Sequence, residues 1–268
     1  MKIGLALSGG AARGIAHIGV LKYLEERNVK AVLIAGTSAG SIVASLYSAG
    51  KTIEEIEQIA RELSWKDFVT LSLPRKGLIS SSKLLEMLKE HLGNIIFEDL
   101  KIPLIINAVD LLSGEEIIIE DGPVAEAVQA SCSIPGIFTP VKWKDKLLVD
   151  GGLLDNVPAV LLKERNLDYI IAVDVGAQKP LSSEPDSIFK ILIQAFDIIQ
   201  RQRDKSVHDM ADVVIEPELG DITMWDINRV DLIMERGYEA ARKILGNTDL
   251  TKKQSGIARW FSKRENRR

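Results

Sequence analysis

One serine in this sequence stands in a setting that suits a nucleophile. Ser38 lies between two glycines in residues 36–40 (GTSAG), a Gly-x-Ser-x-Gly pattern. An apolar run of strand length, residues 31–35, precedes the pattern, and a helix-like segment follows from residue 41. This order is typical of a sharp strand-to-helix turn that lifts a serine hydroxyl clear of the sheet. Glycine is needed on both sides because a side chain would collide with the neighbouring backbone at so tight a bend.

A second turn, rich in glycine, comes earlier in the chain. Residues 8–14 (SGGAARG) join a predicted strand at 2–7 to a predicted helix at 13–27. Such a turn presents unpaired backbone N–H groups at a positive helix end, where they can hold a negative charge. A dinucleotide-binding turn would require an acidic residue at the end of the second strand, and that strand ends instead in residues 36–38, so we reject this interpretation.

Two interpretations of the glycine-rich turn remain. One is an oxyanion hole, in which backbone N–H groups meet the charge that develops on a carbonyl under attack. Arg13 favours it, because a cation at a helix N-terminus is unfavourable unless an anion offsets it. The other is a tight turn that binds no ligand.

The base that would activate the serine is the next question, because a hydroxyl alone is a poor nucleophile. The chain has three histidines, His17, His91 and His208. Of these, His208 alone fits the serine–acid–histidine order of the α/β-hydrolases. None of the three lies in a convincing glycine-rich loop.

Asp150 is the better candidate for that base. It follows an apolar strand-like segment and precedes two glycines that allow close approach of the backbone, Gly151 and Gly152. Sites gather at the ends of strands in open α/β sheets, although Asp-Gly is also a common turn pair. Asp174 lies at another strand end, but its neighbours are apolar, so we expect it to have a structural hydrogen-bonding role.

Four blocks occur together in a fixed order: residues 8–14 (SGGAARG), 36–40 (GTSAG), 130–136 (ASCSIPG) and 150–152 (DGG). In this combination the chain resembles the patatin-like phospholipases, specifically their small single-domain bacterial members. The resemblance runs from about residue 2 to at least residue 245. It implies an α/β fold, a three-layer α/β/α sandwich around a mixed, mostly parallel sheet, with one acyl hydrolase domain over residues 1–250.

The resemblance also implies roles for individual residues. Ser38 would be the nucleophile, and Asp150 would take its proton directly as the other half of a dyad. The backbone of Gly9, Gly10 and Ala11 would form the oxyanion hole, with Arg13 nearby. The glycines of the supporting motifs would be Gly14, Gly36, Gly40, Gly151 and Gly152. Neither a metal nor a cofactor is implied.

Two expectations follow for the chemistry of this site. Family members commonly have a third glycine where this chain has Ala11, so the oxyanion hole survives if the backbone at Ala11 avoids positive φ. A carboxylate is a weak base toward serine. We therefore expect Asp150 to be partly desolvated and to have few cationic side chains nearby, which would raise its pKa.

The remaining segments alternate between strands and helices, which predicts one layered α/β domain without repeats or linkers. Thr52 and Glu55 form a capping-box signature at the start of a helix. The apolar stretch 64–80 is either packed structure, which we favour, or a lid over an apolar substrate. We expect the helix at 188–201 to be buried except along one narrow polar stripe, formed by Lys190, Gln194, Asp197 and Arg201.

Composition limits the class of protein. The single cysteine, Cys132, excludes an intramolecular disulfide and favours a reducing, cytoplasmic location. No apolar run approaches the ~20 residues of a membrane-spanning helix. Residues 251–268 carry a net charge of +6, which leaves −10 for the rest of the 268-residue chain. An acidic body argues against nucleic acid as a partner, and the basic tail is either a solvated terminus or a peripheral contact with the inner membrane surface.

The sequence therefore predicts a serine acyl hydrolase that acts on lipid esters, of the phospholipase A, lysophospholipase or esterase type. One alternative is an esterase with a Ser-His-Asp triad that uses His208. Another is a binding or regulatory protein with the same fold and little turnover. A silent protein of that kind would be expected to lose Ser38 or Asp150, and both are present. Head group, acyl length and oligomeric state are not fixed by the sequence.

Overall fold

A computed structural model describes residues 1–63, 80–177, 184, 188–204, 207–248 and 250, apart from the side chains of 188–190, 201–204 and 208. Within these residues, an eight-stranded sheet has the order β5-β6-β3-β2-β1-β7-β8, with β4 paired to β3. The strands are β1 Ile3–Leu7, β2 Ala31–Gly36, β3 Leu104–Asp110, β4 Glu116–Ile119, β5 Val141–Trp143, β6 Lys146–Asp150, β7 Tyr169–Val173 and β8 Val213–Ile215.

Helices cover both faces of this sheet. They are α1 Ala16–Glu26, α2 Ala39–Ser48, α3 Ile53–Glu62, α4 Ser82–Leu92, α5 Val124–Ser131, α6 Val160–Lys163, α7 Ile188–Asp204, α8 Val207–Met210 and α9 Val230–Leu245. Short 3-10 helices also occur at Ala11–Ile15, Phe97–Asp99 and Gly151–Leu153. In the described part of the chain, every helix is too short or too polar to cross a lipid bilayer.

The centre of the sheet is parallel and brings the two turns predicted above to the same edge. β1 pairs in parallel with β2 and with β7, so that Leu7 lies opposite Gly36 on one side and Val173 on the other. All five residues of β1 are buried, as expected for a strand covered on both faces. The segments that follow β1, β2 and β7 therefore begin side by side.

Alternate side chains of β1 enter two separate cores. Leu5 and Leu7 belong to the larger core, which α1, α2, α3 and α9 help to fill. Ala6 belongs to a smaller core on the opposite face, with Leu162 of α6 and Val207 of α8. Because strand side chains alternate between faces, the chain forms the predicted three-layer α/β/α sandwich around a mixed sheet.

The predicted capping box at α3 is present. Glu55 N–H donates to the Thr52 hydroxyl at 3.2 Å, and Thr52 N–H donates to the Glu55 carboxylate at 2.8 Å. The segment 64–79, which contains nearly all of the proposed lid, and the basic tail 251–268 lie outside the described residues. The domain boundary at residue 250 accordingly stays a prediction.

The prediction for α7 was wrong. Its polar side chains Gln194 and Asp197 are partly buried, whereas four large apolar side chains on the helix are exposed, namely Ile191, Leu192, Ile198 and Ile199. The inward polar side is held by polar contacts. Asp197 lies 4.0 Å from Arg13, and Gln200 donates to Asn156 at 3.1 Å. The sequence pattern could not show this, because the partners of those polar groups are distant in sequence.

Candidate active site

Ser38 lies at the turn between β2 and α2, with backbone angles φ 49° and ψ −124°. A side chain at Gly40 would place its Cβ 2.2 Å from the Leu7 carbonyl oxygen, and one at Gly36 would place it 2.8 Å from the Ser41 Cα. Both glycines are therefore required by close backbone approach, as the sequence indicated. The positive φ at Ser38 is strained for a residue with a side chain, and such strain is typical of functional sites.

Two other serines hold the backbone of this turn. Ser38 N–H donates to the Ser131 hydroxyl at 2.9 Å, and the Ser41 hydroxyl donates to the Ser38 carbonyl at 2.6 Å. Ser131 belongs to the block at residues 130–136, to which sequence reasoning gave no role. The structure shows that this block anchors the strained turn from α5.

Asp150 ends β6 and is 1% exposed. Its Oδ1 accepts the Gly152 N–H at 2.8 Å, whereas its Oδ2 is buried and forms no hydrogen bond of normal geometry within the described residues. Burial raises the pKa of Asp150 to about 7, and the nearby Ser38 side chain and the Gly152 N–H only partly oppose that shift. The expected desolvation of this carboxyl is confirmed.

The glycine-rich turn lies beside Ser38. A Cβ at Gly9 would lie 3.1 Å from the Ser38 Cβ, and the Gly9 N–H donates to the Asn156 carbonyl at 3.1 Å. Within the described residues, the N–H groups of Gly10 and Ala11 have no hydrogen-bond partner. Ala11 has φ 49°, so the condition stated above, that its backbone avoids positive φ, is not met, although its N–H group is still unpaired among the described residues. The turn keeps its shape at a cost of about 1 kcal/mol in backbone strain.

Arg13 is buried, and its side chain makes contacts of its own. Its Nε donates to the Ile222 carbonyl at 2.9 Å, and its guanidinium lies 4.0 Å from the Asp197 carboxylate of α7. Because the Asp197 carboxylate and the Ile222 carbonyl offset the charge of Arg13, no bound anion is needed to explain a cation at this helix N-terminus. A Cβ at Gly14 would lie 2.5 Å from the Ala39 Cβ. The absence of a side chain at Gly14 therefore lets the two turns pack closely.

Two asparagines that sequence reasoning missed connect the turns. Asn107 on β3 accepts the Thr37 hydroxyl at 2.8 Å, and a Cβ at Gly151 would lie 2.5 Å from the Asn107 Oδ1. Asn156 accepts the Gly9 N–H, and its side chain lies against Gly152 in the same way. Both asparagines are buried. An isolated asparagine carries no local pattern, so no sequence signal could have identified either one.

The histidines lie elsewhere. His17 is fully buried on α1, and its Nε2 lies 2.8 Å from the Ser8 carbonyl oxygen. Burial lowers its pKa to about 4, so the ring is neutral near pH 7 and Nε2 donates. His91 is partly buried near the end of α4. The side chain of His208 lies outside the described residues, and neighbouring Val207 packs into the smaller core.

An apolar cavity adjoins Ser38. Its empty volume is about 910 Å³, including space open to solvent, and Ser38 lies in its wall with Ala11 and Cys132. The other described residues of the lining are apolar and come mainly from α1 to α4 and the segment after α5, among them Ile42, Leu46, Ile56, Leu84, Ile134 and Phe138. Such a cavity is suited to a hydrocarbon chain.

This fold and site define an α/β protein with a strained serine, a buried carboxyl and an apolar cavity. The model of the patatin-like phospholipase family matches residues 5–163, more than half of the chain. The chain belongs to the patatin-like phospholipase family.

Similar proteins include an uncharacterized NTE family protein of Mycobacterium bovis, 35% identical over 181 residues, which cover 66% of this chain and 50% of that protein. Lysophospholipase NTE1 of Debaryomyces hansenii is 34% identical over 65% of this chain and 12% of its own length. The chain thus spans half or less of these curated relatives. VipD of Legionella pneumophila shares the fold, with a TM-score of 0.64 at 16% identity over 91% of this chain and 66% of that one.

Proposed function

We propose that the chain hydrolyses acyl esters of lipids, with Ser38 as nucleophile and Asp150 as general base. The observation that carries the proposal is the buried carboxyl of Asp150 next to the Ser38 side chain, in the wall of an apolar cavity. A base works best when its pKa lies near the working pH. A pKa of about 7 makes this aspartate a stronger base than an exposed one, while it remains largely ionised above neutrality.

The reaction proceeds in two steps. Asp150 takes the hydroxyl proton as Ser38 Oγ attacks the ester carbonyl, and a tetrahedral intermediate forms. The C–O bond to the alcohol then breaks, the alcohol leaves with that proton, and the acyl group stays on Ser38. A water molecule attacks the acyl-enzyme with the same base assisting, which frees the fatty acid and restores the serine.

The N–H groups of Gly10 and Ala11 are the donors in this proposal for the developing oxyanion. They are unpaired among the described residues and belong to the turn that packs against Ser38. Gly9 has another role, because its N–H is already bonded to the Asn156 carbonyl. Arg13 supports the turn through Ile222 and Asp197. Losing one oxyanion donor typically costs about 10²–10³ in rate.

The cavity supports a long acyl chain as the part of the substrate that is bound. Among the described residues that line the cavity, only Ser38 and Cys132 have polar side chains, so a charged head group would find few partners there. The head group would accordingly remain outside the cavity, and phospholipid, lysophospholipid and simpler esters all fit that arrangement. A cytoplasmic location, as the single cysteine predicts, forms part of the same proposal.

Intact-mass analysis after incubation with a long-chain alkyl fluorophosphonate tests the proposal. Wild type should gain one adduct, Ser38→Ala should gain none, and Asp150→Asn should gain it much more slowly. Ser45→Ala is the matched control, since Ser45 is a buried serine of α2 that bonds to the Ile42 carbonyl. It should react like wild type.

Two results would contradict the proposal. An adduct that persists in Ser38→Ala would place the nucleophile elsewhere. A folded wild type that forms no adduct and hydrolyses no ester would favour a binding protein with this fold. His208→Ala should leave the adduct rate unchanged, and a large loss there would favour the triad with histidine instead.

A further inference from the structure

The outward face of α7 is apolar. Four aliphatic side chains are 46–54% exposed, namely Ile191, Leu192, Ile198 and Ile199. At 3.6 residues per turn they fall within one third of the helix circumference, with the exposed Ala195 between them. We call these four side chains the α7 surface. They form a continuous apolar stripe rather than scattered exposed residues.

Polar contacts on the opposite side fix this orientation. Asp197 faces Arg13, and Gln200 donates to Asn156, the residue whose carbonyl accepts the Gly9 N–H. A helix in water normally buries its apolar face and exposes its polar one. Here the polar side is turned toward the candidate active site, so the apolar side is left outward.

The α7 surface adjoins the rim of the cavity. A Cβ at Gly136 would lie 3.3 Å from the Leu192 Cδ1, so Leu192 packs close to that glycine. Ile134 and Ile137, on either side of Gly136, line the cavity. An apolar path therefore leads from the exposed helix face to the cavity next to Ser38.

We propose that the α7 surface docks on a lipid surface, the bilayer or micelle from which the substrate is drawn. This inference rests on the proposed function, because an acyl chain that enters the cavity must leave a lipid aggregate. Apolar side chains inserted beside the rim would let the chain pass without crossing water, as apolar helix faces do at membrane interfaces.

A second copy of the chain fits this surface less well. Four half-exposed side chains offer on the order of 400 Å², well below the about 800 Å² that each partner buries in a stable interface. A lipid surface makes no such demand, because it adapts to a small apolar patch.

Vesicle flotation of the 268-residue chain with Ser38→Ala, which cannot hydrolyse by the proposed route, tests the docking alone. Vesicles of zwitterionic phosphatidylcholine, which carry no net charge, should bind this chain. Adding Ile191→Gln and Ile198→Gln should weaken the binding by about tenfold or more. Val160→Gln is the matched control: Val160 is 44% exposed on α6, and it should leave binding unchanged. In the chain with an intact Ser38, the double substitution should leave hydrolysis of a soluble short-chain ester unchanged.

Several outcomes would overturn the proposal. The first is equal vesicle binding by the parent and the double variant, or no binding by either. The second is binding that requires anionic lipid and disappears in about 0.5 M salt, which would place the contact in the basic tail. The third is a parent dimer in sedimentation velocity that the double substitution dissociates. Failure of the proposed function is distinguishable, because it would appear as absent hydrolysis by wild type and would leave the flotation result intact.

Discussion

Two turns of this molecule share one local design. Asp150 ends β6 and Asp174 follows β7, and both side chains are buried. In each turn Oδ1 accepts the N–H of the glycine two residues later, Gly152 at 2.8 Å and Gly176 at 2.7 Å. The difference lies in the surroundings. Asp150 adjoins the Ser38 side chain and has an Oδ2 without a hydrogen bond in the described residues, whereas the turn of Asp174 supports the glycine-rich loop.

That support is visible in the contacts of Val175. Its N–H donates to the Ser8 hydroxyl at 2.9 Å. A Cβ at Gly10 would lie 2.4 Å from the Val175 Cγ2, so the side chain of Val175 packs directly against that glycine. In the proposed function, the turn of Asp150 offers a carboxyl to Ser38, and the turn of Asp174 supports the loop whose N–H groups would bind the oxyanion. The proposal therefore assigns two roles to the same Asp-x-Gly sequence, a general base at Asp150 and a structural support at Asp174.

Replacing each aspartate by asparagine tests whether Asp150 and Asp174 have different roles. Asparagine keeps the Oδ1 acceptor and the shape but cannot act as a base. We expect Asp150→Asn to lower kcat on a soluble p-nitrophenyl ester by about 10³ or more. Asp174→Asn should lower kcat by less than about tenfold, because only the structural support is changed. Equal losses in the two folded variants would show that the turns do not differ in role.

The pH dependence of the rate follows from the burial of Asp150. Burial raises the pKa of this carboxyl to about 7, and only the ionised form can accept the serine proton. We therefore expect kcat/KM to rise about tenfold per pH unit below pH 7 and to level off above it. Asp174→Asn should retain this profile. A rate that stays flat between about pH 5 and 7 would contradict the assignment of the base.

Much of this arrangement could be predicted from the sequence, because the patterns that indicate it lie within short segments of the chain. Strand-turn-helix order predicted the turns at Ser38 and at residues 8–14, and a strand end followed by glycines indicated Asp150. The parallel centre of the sheet then brings the segments after β1 and β2 together. Glycine at 36 and 40 proved necessary for the reason given from sequence, the close approach of the backbone.

What could not be predicted depends on contacts between distant parts of the chain. Asn107 and Asn156 join turns that are far apart in sequence, and nothing in their immediate neighbours marks them. The orientation of α7 depends on Arg13 and Asn156, so periodicity alone assigned its faces wrongly. The positive φ of Ala11 is set by packing, since alanine carries no signal for it.

A substitution at His17 tests how the glycine-rich loop is supported. Its Nε2–H donates to the Ser8 carbonyl, and Ser8 also accepts the Val175 N–H, so His17 helps to fix the glycine-rich loop. We expect His17→Leu to lower kcat by about tenfold with little change in KM, because a loosened loop weakens the oxyanion contacts. His17→Gln, which keeps a donor at nearly the same place, should restore most of kcat. If both variants lose stability but neither loses kcat, the role of His17 is only structural.

Ala11 gives the smallest effect and the finest test of the loop. Its φ of 49° suits glycine better than alanine, so Ala11→Gly should remove strain at the cost of some chain entropy. We expect a net gain of up to about 0.5 kcal/mol in the free energy of unfolding by urea, because the entropy cost of glycine offsets part of the relieved strain, with kcat within about twofold of wild type. The neighbouring Ala12 is the matched control, because its φ is not positive. Ala12→Gly should instead lose about 0.5–1 kcal/mol. If Ala11→Gly destabilises the protein as much as Ala12→Gly does, the loop is not strained at Ala11, and its N–H groups are held by packing alone.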